Sequence, residues 1–242
     1  GLNHKHTFLE LMEELDHVGD INRFRFSVLS TPLISKKTLM FFSNSTRFSP
    51  YFNIGMMSAS NDMLKIIPRI FRREQYKKLF DNINDIIPHA YISVDIIVGI
   101  PGETDELFEE TYEYLKNLNI SNINVLAYTE RANTFGYGAN QLPVPKKTRM
   151  QRRKKLNVLA VEKLSSFYKS QIGSVREVLF ERGNRNGFIF GYTENHIKVK
   201  VDWSPQLENT IHRVQLAKIG KDGIMLFDFL DYNISDELVV SL

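Results

Sequence analysis

The chain has 242 residues, 43% hydrophobic and 24% charged, with a net charge of +3 and no cysteine. That size suits one large or two smaller domains with buried cores, and the near-neutral charge gives no global argument for nucleic acid. The absence of cysteine excludes disulfides, thiolate metal sites and iron–sulfur ligation by this chain; no apolar run is long enough to span a membrane, so a cytoplasmic protein is expected.

Thr7 and Glu10 make a capping box ahead of Phe8, Leu9, Leu11, Met12 and Leu15 at helical spacing, and Gly19 ends that helix. The opening residues run almost directly into it, as expected of a boundary inside a larger protein. Arg23 to Leu29 alternates as a strand, and Ser35 caps a helix from Lys36 to Phe42. Tyr51 to Met57 reads as a buried strand. Asn61 to Ile87 is helical with a break near Pro68, and Ala90 to Ile100 is a β-branched strand of the central parallel kind. Thr104 to Leu118 is the strongest helix, with an acidic first turn and Lys116 near its end. Ile120 to Thr129 is another strand, followed by a Gly/Asn-rich loop over Asn133 to Gln141.

This strand–helix rhythm predicts βαβ units in a parallel sheet or barrel. A long basic amphipathic helix then runs from Lys146 to Ser170, with seven cations between Lys146 and Lys155 and no carboxylate among them. After Gly173 the texture changes to short alternating strands: Val175–Glu181, Gly187–Tyr192, His196–Trp203, Thr210–Ile219 and Gly223–Phe229. They predict a small antiparallel barrel. The expected division is residues 1–143, a connecting helix over 144–171, and the small barrel over 172–242.

The strand-to-helix turn Gly99-Ile-Pro-Gly-Glu103 is the leading candidate site. Free backbone N–H groups, a helix dipole and glycine's open approach suit a ligand there, with Glu103 as acceptor or helix cap. The basic run (Lys146, Lys147, Arg149, Arg152, Arg153) is heavy for a solvated face and suits phosphates. Lys198 and Lys200 lie among Phe188, Phe190, Tyr192 and Trp203, where aromatics either stack bases or fill the barrel. The histidines lack metal-ligand spacing, His4 and His6 being the nearest pair, so no metal site is expected. No catalytic acid, base or nucleophile can be assigned.

Three segments in order carry a family resemblance: Asp95 to Thr111, Val125 to Thr134, and Gly191 to Val199. They resemble signatures of the radical-SAM tRNA methylthiotransferases, in the branch that acts on threonylcarbamoyladenosine. The resemblance implies an incomplete parallel (βα) radical-SAM barrel followed by a TRAM-like, OB-like RNA-binding barrel. It implies S-adenosylmethionine and [4Fe–4S] clusters as family cofactors, with the cluster-binding regions upstream of this chain, and tRNA as partner. It places Asp95, Gly99, Glu103, Leu126 and Tyr128 at S-adenosylmethionine, and Glu130-Arg131 at the family's Ser/Glu-Arg-Pro turn. Where the family's fourth strand reads His-Ile-Pro-Leu-Gln-Ser-Gly-Ser, this chain has Asn53 to Ser60 with Met57 at the Gln position; Ser30 replaces a glutamate. A cofactor bearing ammonium, carboxylate and sulfonium groups needs charge and hydrogen bonds, and methionine supplies little of either.

Three functions follow. The first is the C-terminal portion of such an enzyme, inactive alone for want of cluster cysteines and partnered by the rest of its protein. The second is a catalytically inactive RNA-binding protein built on the same fold. The third is an unrelated (βα) enzyme taking a phosphorylated small molecule at the 99–104 turn, which leaves the basic helix and terminal barrel without a role.

Overall fold

The computed structural model describes residues 6–67, 69–130 and 142–231. It divides into two compact units, Gly1–Leu164 and Ser165–Leu242, so the connecting helix contributes to both. Among the described residues no helix is long and apolar enough to cross a membrane.

In the first unit the capping signals act as read. Glu10 N–H donates to Thr7 Oγ1 and Thr7 N–H to the Glu10 carboxylate, opening α1 (Phe8–Asp16). Ser35 caps α2 (Lys36–Asn44) through Thr38 N–H. β1 (Tyr51–Met57) leads to α3 (Asn61–Ile66) and α4 (Arg73–Ile86), and then to β2 (Tyr91–Val98). Thr104 caps α5 (Asp105–Asn117), which returns the chain to β3 (Asn122–Ala127). The three strands form one parallel sheet in the order β1-β2-β3. One face is apolar, with Phe52, Ile54, Ile92, Val94, Ile96, Ile123 and Val125 buried in a core shared with Leu79, Phe80, Ile83, Phe108 and Leu115.

The segment Arg23–Leu29 is not a strand. Only Phe24 makes a bridge, to Phe48, and Leu29 N–H donates to the Asn53 carbonyl. Its alternation has another cause: Phe24 and Phe26 both stack on Phe48, at 4.9 and 5.8 Å between ring centroids. Ring packing satisfies the two-residue period without a ladder.

α4 is tied to α5 by an Arg73–Glu110 ion pair and by the Tyr114 hydroxyl donating to the Arg73 carbonyl. Burial pushes the Tyr114 phenol up to about 12. The neutral phenol is the form the fold favours, so its stabilisation is complete below the ordinary tyrosine range and is lost as pH rises through about 12. Tyr114→Phe is expected to lower the first unit's stability by about 1 kcal/mol at neutral pH. It should also remove a tyrosine that ionises at about 12 from an ultraviolet titration.

α6 (Lys146–Ser170) spans the division. In the second unit β4 (Val175–Phe180), β5 (Phe188–Thr193), β6 (Lys198–Asp202), β7 (Ile211–Ile219) and β8 (Met225–Phe229) close a barrel in the order β4-β5-β6-β8-β7. The expectation of a wholly antiparallel barrel needs one correction, because β6 and β8 pair in parallel at Val199 and Met225. Val178, Phe180, Ile189, Val199, Val214, Leu216 and Met225 fill its interior.

Candidate functional site

The sheet's second face is polar. Asn53 on β1 lies opposite Ser93 on β2, Ser93 opposite Asn122 on β3, and Asp95 opposite Asn124. All five side chains therefore share one face. Asn124 Nδ2 donates to Asp95 at 2.9 Å and to Asn53 Oδ1 at 3.3 Å, and Asn53 Nδ2 reaches Asp95 at 3.4 Å. Asn122 donates to Asn124 Oδ1 at 2.9 Å. A parallel sheet covered on both faces reads as continuous apolar strands; here one face is a connected network of amides around a single carboxylate. Leu126 lies two residues beyond Asn124 on β3, so period two puts it on the same face, where it is exposed. Tyr128 follows, held by its N–H on the Val98 carbonyl.

The turn after β2 is built differently from its sequence expectation. Its N–H groups are not all free, because Gly99 N–H donates to the Glu103 carboxylate at 2.6 Å. That carboxylate also receives Arg152 Nη1 at 2.7 Å, and the same nitrogen donates to the Glu103 carbonyl at 3.0 Å. Arg152 Nη2 continues to Asp105 at 2.6 Å. The two side chains of the central pair are only 6% and 3% exposed. Burial pushes the Glu103 carboxyl up from its ordinary value, against the opposing pull of Gly99 N–H and Arg152. Glu103 thus commits its Oε2 to the turn and to α6.

Gly99 has φ +80°, and the group that approaches its main chain is a side chain of this protein. A Cβ there would lie 2.2 Å from Arg149 Cγ. Arg149 is itself fixed: Nε donates to the Val144 carbonyl and Nη1 to the Tyr128 carbonyl, each at 2.7 Å, and Nη2 pairs with Glu130. Beside the turn lies a cleft of about 600 Å³ lined in part by Gly102, Thr104, Pro143, Pro145 and Thr148.

Of the residues singled out in the sequence, Asp95 and Leu126 lie on the polar face. Gly99 and Glu103 belong to the turn locked by Arg149 and Arg152. The basic run divides by helix face. Lys146, Lys147 and Arg153 are exposed, whereas Arg152 is buried, Arg149 is largely covered, and Lys155 pairs with Glu109. An RNA contact at Arg152 would require breaking its ion pairs, so the expected contact set contracts to the exposed cations. Asn124 and Asn122 were missed, though their two-residue spacing in a strand next to Ser93 and Asp95 was a usable signal. Among the described residues no group of three or more His, Cys, Asp or Glu side chains could hold a metal ion. His4 and the Arg131 position of the Glu130-Arg131 turn lie outside the described residues.

Residues 3–115 match the family described as the Radical SAM superfamily. The chain is 29% identical, over 83% of its length and 47% of the relative's, to threonylcarbamoyladenosine tRNA methylthiotransferase MtaB of Aquifex aeolicus. It is 29% identical to tRNA-2-methylthio-N(6)-dimethylallyladenosine synthase of Pelotomaculum thermopropionicum, over 96% of this chain and 52% of that protein. The same-named protein of Bacillus mycoides is 31% identical over 86% and 41% respectively. The chain is therefore a relative of the radical-SAM tRNA methylthiotransferases along most of its length, and it spans about half the length of the curated relatives it matches.

Proposed function

We propose that this chain forms the cofactor-facing strands and the RNA-binding barrel of a radical-SAM tRNA methylthiotransferase whose substrate is threonylcarbamoyladenosine in tRNA. The observation that carries the reading is the polar face Asn53–Asp95–Asn124 in a parallel sheet whose first two strands lie inside the matched segment. Amide donors and one carboxylate suit the hydroxyls and base edge of the adenosine half of S-adenosylmethionine, and Leu126 and Tyr128 add apolar surface beside them. Gly99 and Glu103 act indirectly, by holding the turn. The choice of threonylcarbamoyladenosine rests on the resemblance in motif order and on the Aquifex relative.

An iron–sulfur cluster does not fit this chain's own residues, since its thiolate ligands are absent from the sequence. They would come from another chain or from further sequence of the same protein. For tRNA, the exposed Lys146, Lys147 and Arg153 on α6 and Lys198 and Lys200 on β6 supply phosphate partners. A second reading, an RNA-binding protein without catalysis, draws support from the buried Glu103–Arg152 pair, which commits Oε2 of the turn's carboxylate to Gly99 N–H and Arg152.

Separate titrations of the chain with S-adenosylmethionine by calorimetry and with labelled tRNA by filter binding test both readings. Under the first, both ligands bind, and Asp95→Ala abolishes the S-adenosylmethionine heat while leaving tRNA affinity within about threefold. Salt-sensitive tRNA binding with no S-adenosylmethionine heat leaves only the second. Binding of neither removes both.

A further inference from the structure

Alternation along β5 turns Ile189, Gly191 and Thr193 inward and leaves Phe188, Phe190 and Tyr192 half-exposed on the outer face. These rings do not fill the barrel, which is packed by other residues. They stand two residues apart, roughly 6.6 Å per step along the strand. On β6, Lys200 lies opposite Phe190 in the ladder and Lys198 opposite Tyr192. Yet each ammonium leans back one pair: Lys200 Nζ sits 4.7 Å from the centre of the Phe188 ring, and Lys198 Nζ 4.6 Å from that of Phe190. Arg185 adds a guanidinium 5.7 Å from the same Phe190 ring, and His196 stacks on Tyr192 at 4.8 Å with 14° between planes. The same diagonal contact is thus made at two successive rungs.

A ring holding an ammonium over its face has that face occupied, so it is a poor platform for a base. What it offers is a cation already placed. Lysine has three donors, and contact with the ring leaves N–H groups to point away from it. A long side chain that is already ordered gives up less rotamer freedom when an anion arrives. We propose that the outer face of β5 and β6 is a phosphate ladder: Phe188 and Phe190 position Lys200, Lys198 and Arg185 to grip an RNA backbone irrespective of base identity. This deepens the RNA-binding reading above and rests on it. The rungs differ in strength. Lys200 pairs with Asp222 and Arg185 with Glu181, so phosphate must displace a carboxylate at both. Among the described residues no carboxylate pairs with Lys198, which makes it the strongest rung.

The test measures tRNA affinity of the whole chain from 0.05 to 0.3 M salt for the unsubstituted protein, Lys198→Gln, Lys200→Gln and Phe190→Leu. Each lysine replacement is expected to reduce the slope of log K against log salt by about 0.7–0.9, and affinity at 0.1 M by roughly fivefold, with the smaller loss at Lys200. Phe190→Leu keeps both charges, so its slope should stay put and its affinity should fall by less than about threefold. Homopolymer RNAs of different base should bind within about threefold of one another. A loss of fivefold or more for Phe190→Leu with an unchanged slope for Lys198→Gln is the signature of base stacking and overturns the ladder while leaving the RNA partner intact. No tRNA binding by the unsubstituted chain overturns both. Unchanged circular dichroism in each variant separates these outcomes from misfolding.

Discussion

Replacing Arg152 with methionine is expected to destabilise the unit of residues 1–164 by about 3–5 kcal/mol. The guanidinium is 6% exposed and is the only cation that the Glu103 carboxylate, itself 3% exposed, touches among the described residues. Methionine matches the length of the stem and keeps contact with Phe108, over which the guanidinium now lies, so the loss is electrostatic and not a matter of volume. What remains is a buried carboxylate with Gly99 N–H, at 2.6 Å, as its one donor among the described residues. The sign of the pH dependence follows. Burial already pushes this carboxyl up, and removing Arg152 pushes it further. A raised folded-state pKa means that the folded protein binds the proton more tightly than the unfolded chain does. The deficit of Arg152→Met is therefore fully present above the folded-state pKa and shrinks as pH falls through it. Urea melts at pH 5 and pH 8 check this, with the 165–242 unit's transition as an internal control. The double variant Glu103→Gln/Arg152→Met should recover part of the loss, because a neutral amide is less costly to bury unpaired. Equal melts for Arg152→Met and the parent would show that the pair contributes nothing to the fold.

Local signals in this sequence were legible and long-range ones were not. Thr7 with Glu10, and Ser35, cap helices where expected because a cap needs only a few consecutive residues, while the cap of α5 is Thr104 and not Glu103. The alternation of Arg23 to Leu29 misled because ring packing on Phe48 imposes the same period as a strand. The basic run misled for a geometric reason. Ten consecutive helical residues wrap the whole circumference nearly three times, so seven cations cannot share one face. The pointer was present: the buried stripe Leu156, Leu159 and Ala160, extended backwards at helical spacing, arrives at Arg152 and Arg149. Their carboxylate partners sit 19 to 49 positions earlier in the chain, Glu130 for Arg149 and Glu103 and Asp105 for Arg152, and for Arg152 only the packing of α6 against the start of α5 brings them together. The polar sheet face was half legible. Asp95 stood out by charge, whereas Asn122 and Asn124 acquire meaning only once register sets them beside it.

Gly99→Ala is the second substitution expected to act strongly, and its partner residue shows how. Two penalties add at this position. The backbone has φ +80°, which an L-residue adopts at a cost of about 1–2 kcal/mol. The new Cβ would also stand 2.2 Å from Arg149 Cγ and 2.8 Å from Cδ. These are the inner atoms of a side chain anchored at its base by a helix and at its tip by the Val144 and Tyr128 carbonyls and Glu130. Swinging it away forfeits those bonds, each worth about 1 kcal/mol or more when the donor is charged. A total loss of roughly 3–4 kcal/mol in the first unit is expected. The two penalties separate in a double-mutant cycle. In an Arg149→Ala background only the Cβ of residue 149 remains, 3.1 Å away, so Gly99→Ala should cost little beyond the φ term. A coupling of about 1–3 kcal/mol between the two sites is the expected reading. Strict additivity would mean that Arg149 does not press on the turn, and that the glycine is there for a ligand's approach instead.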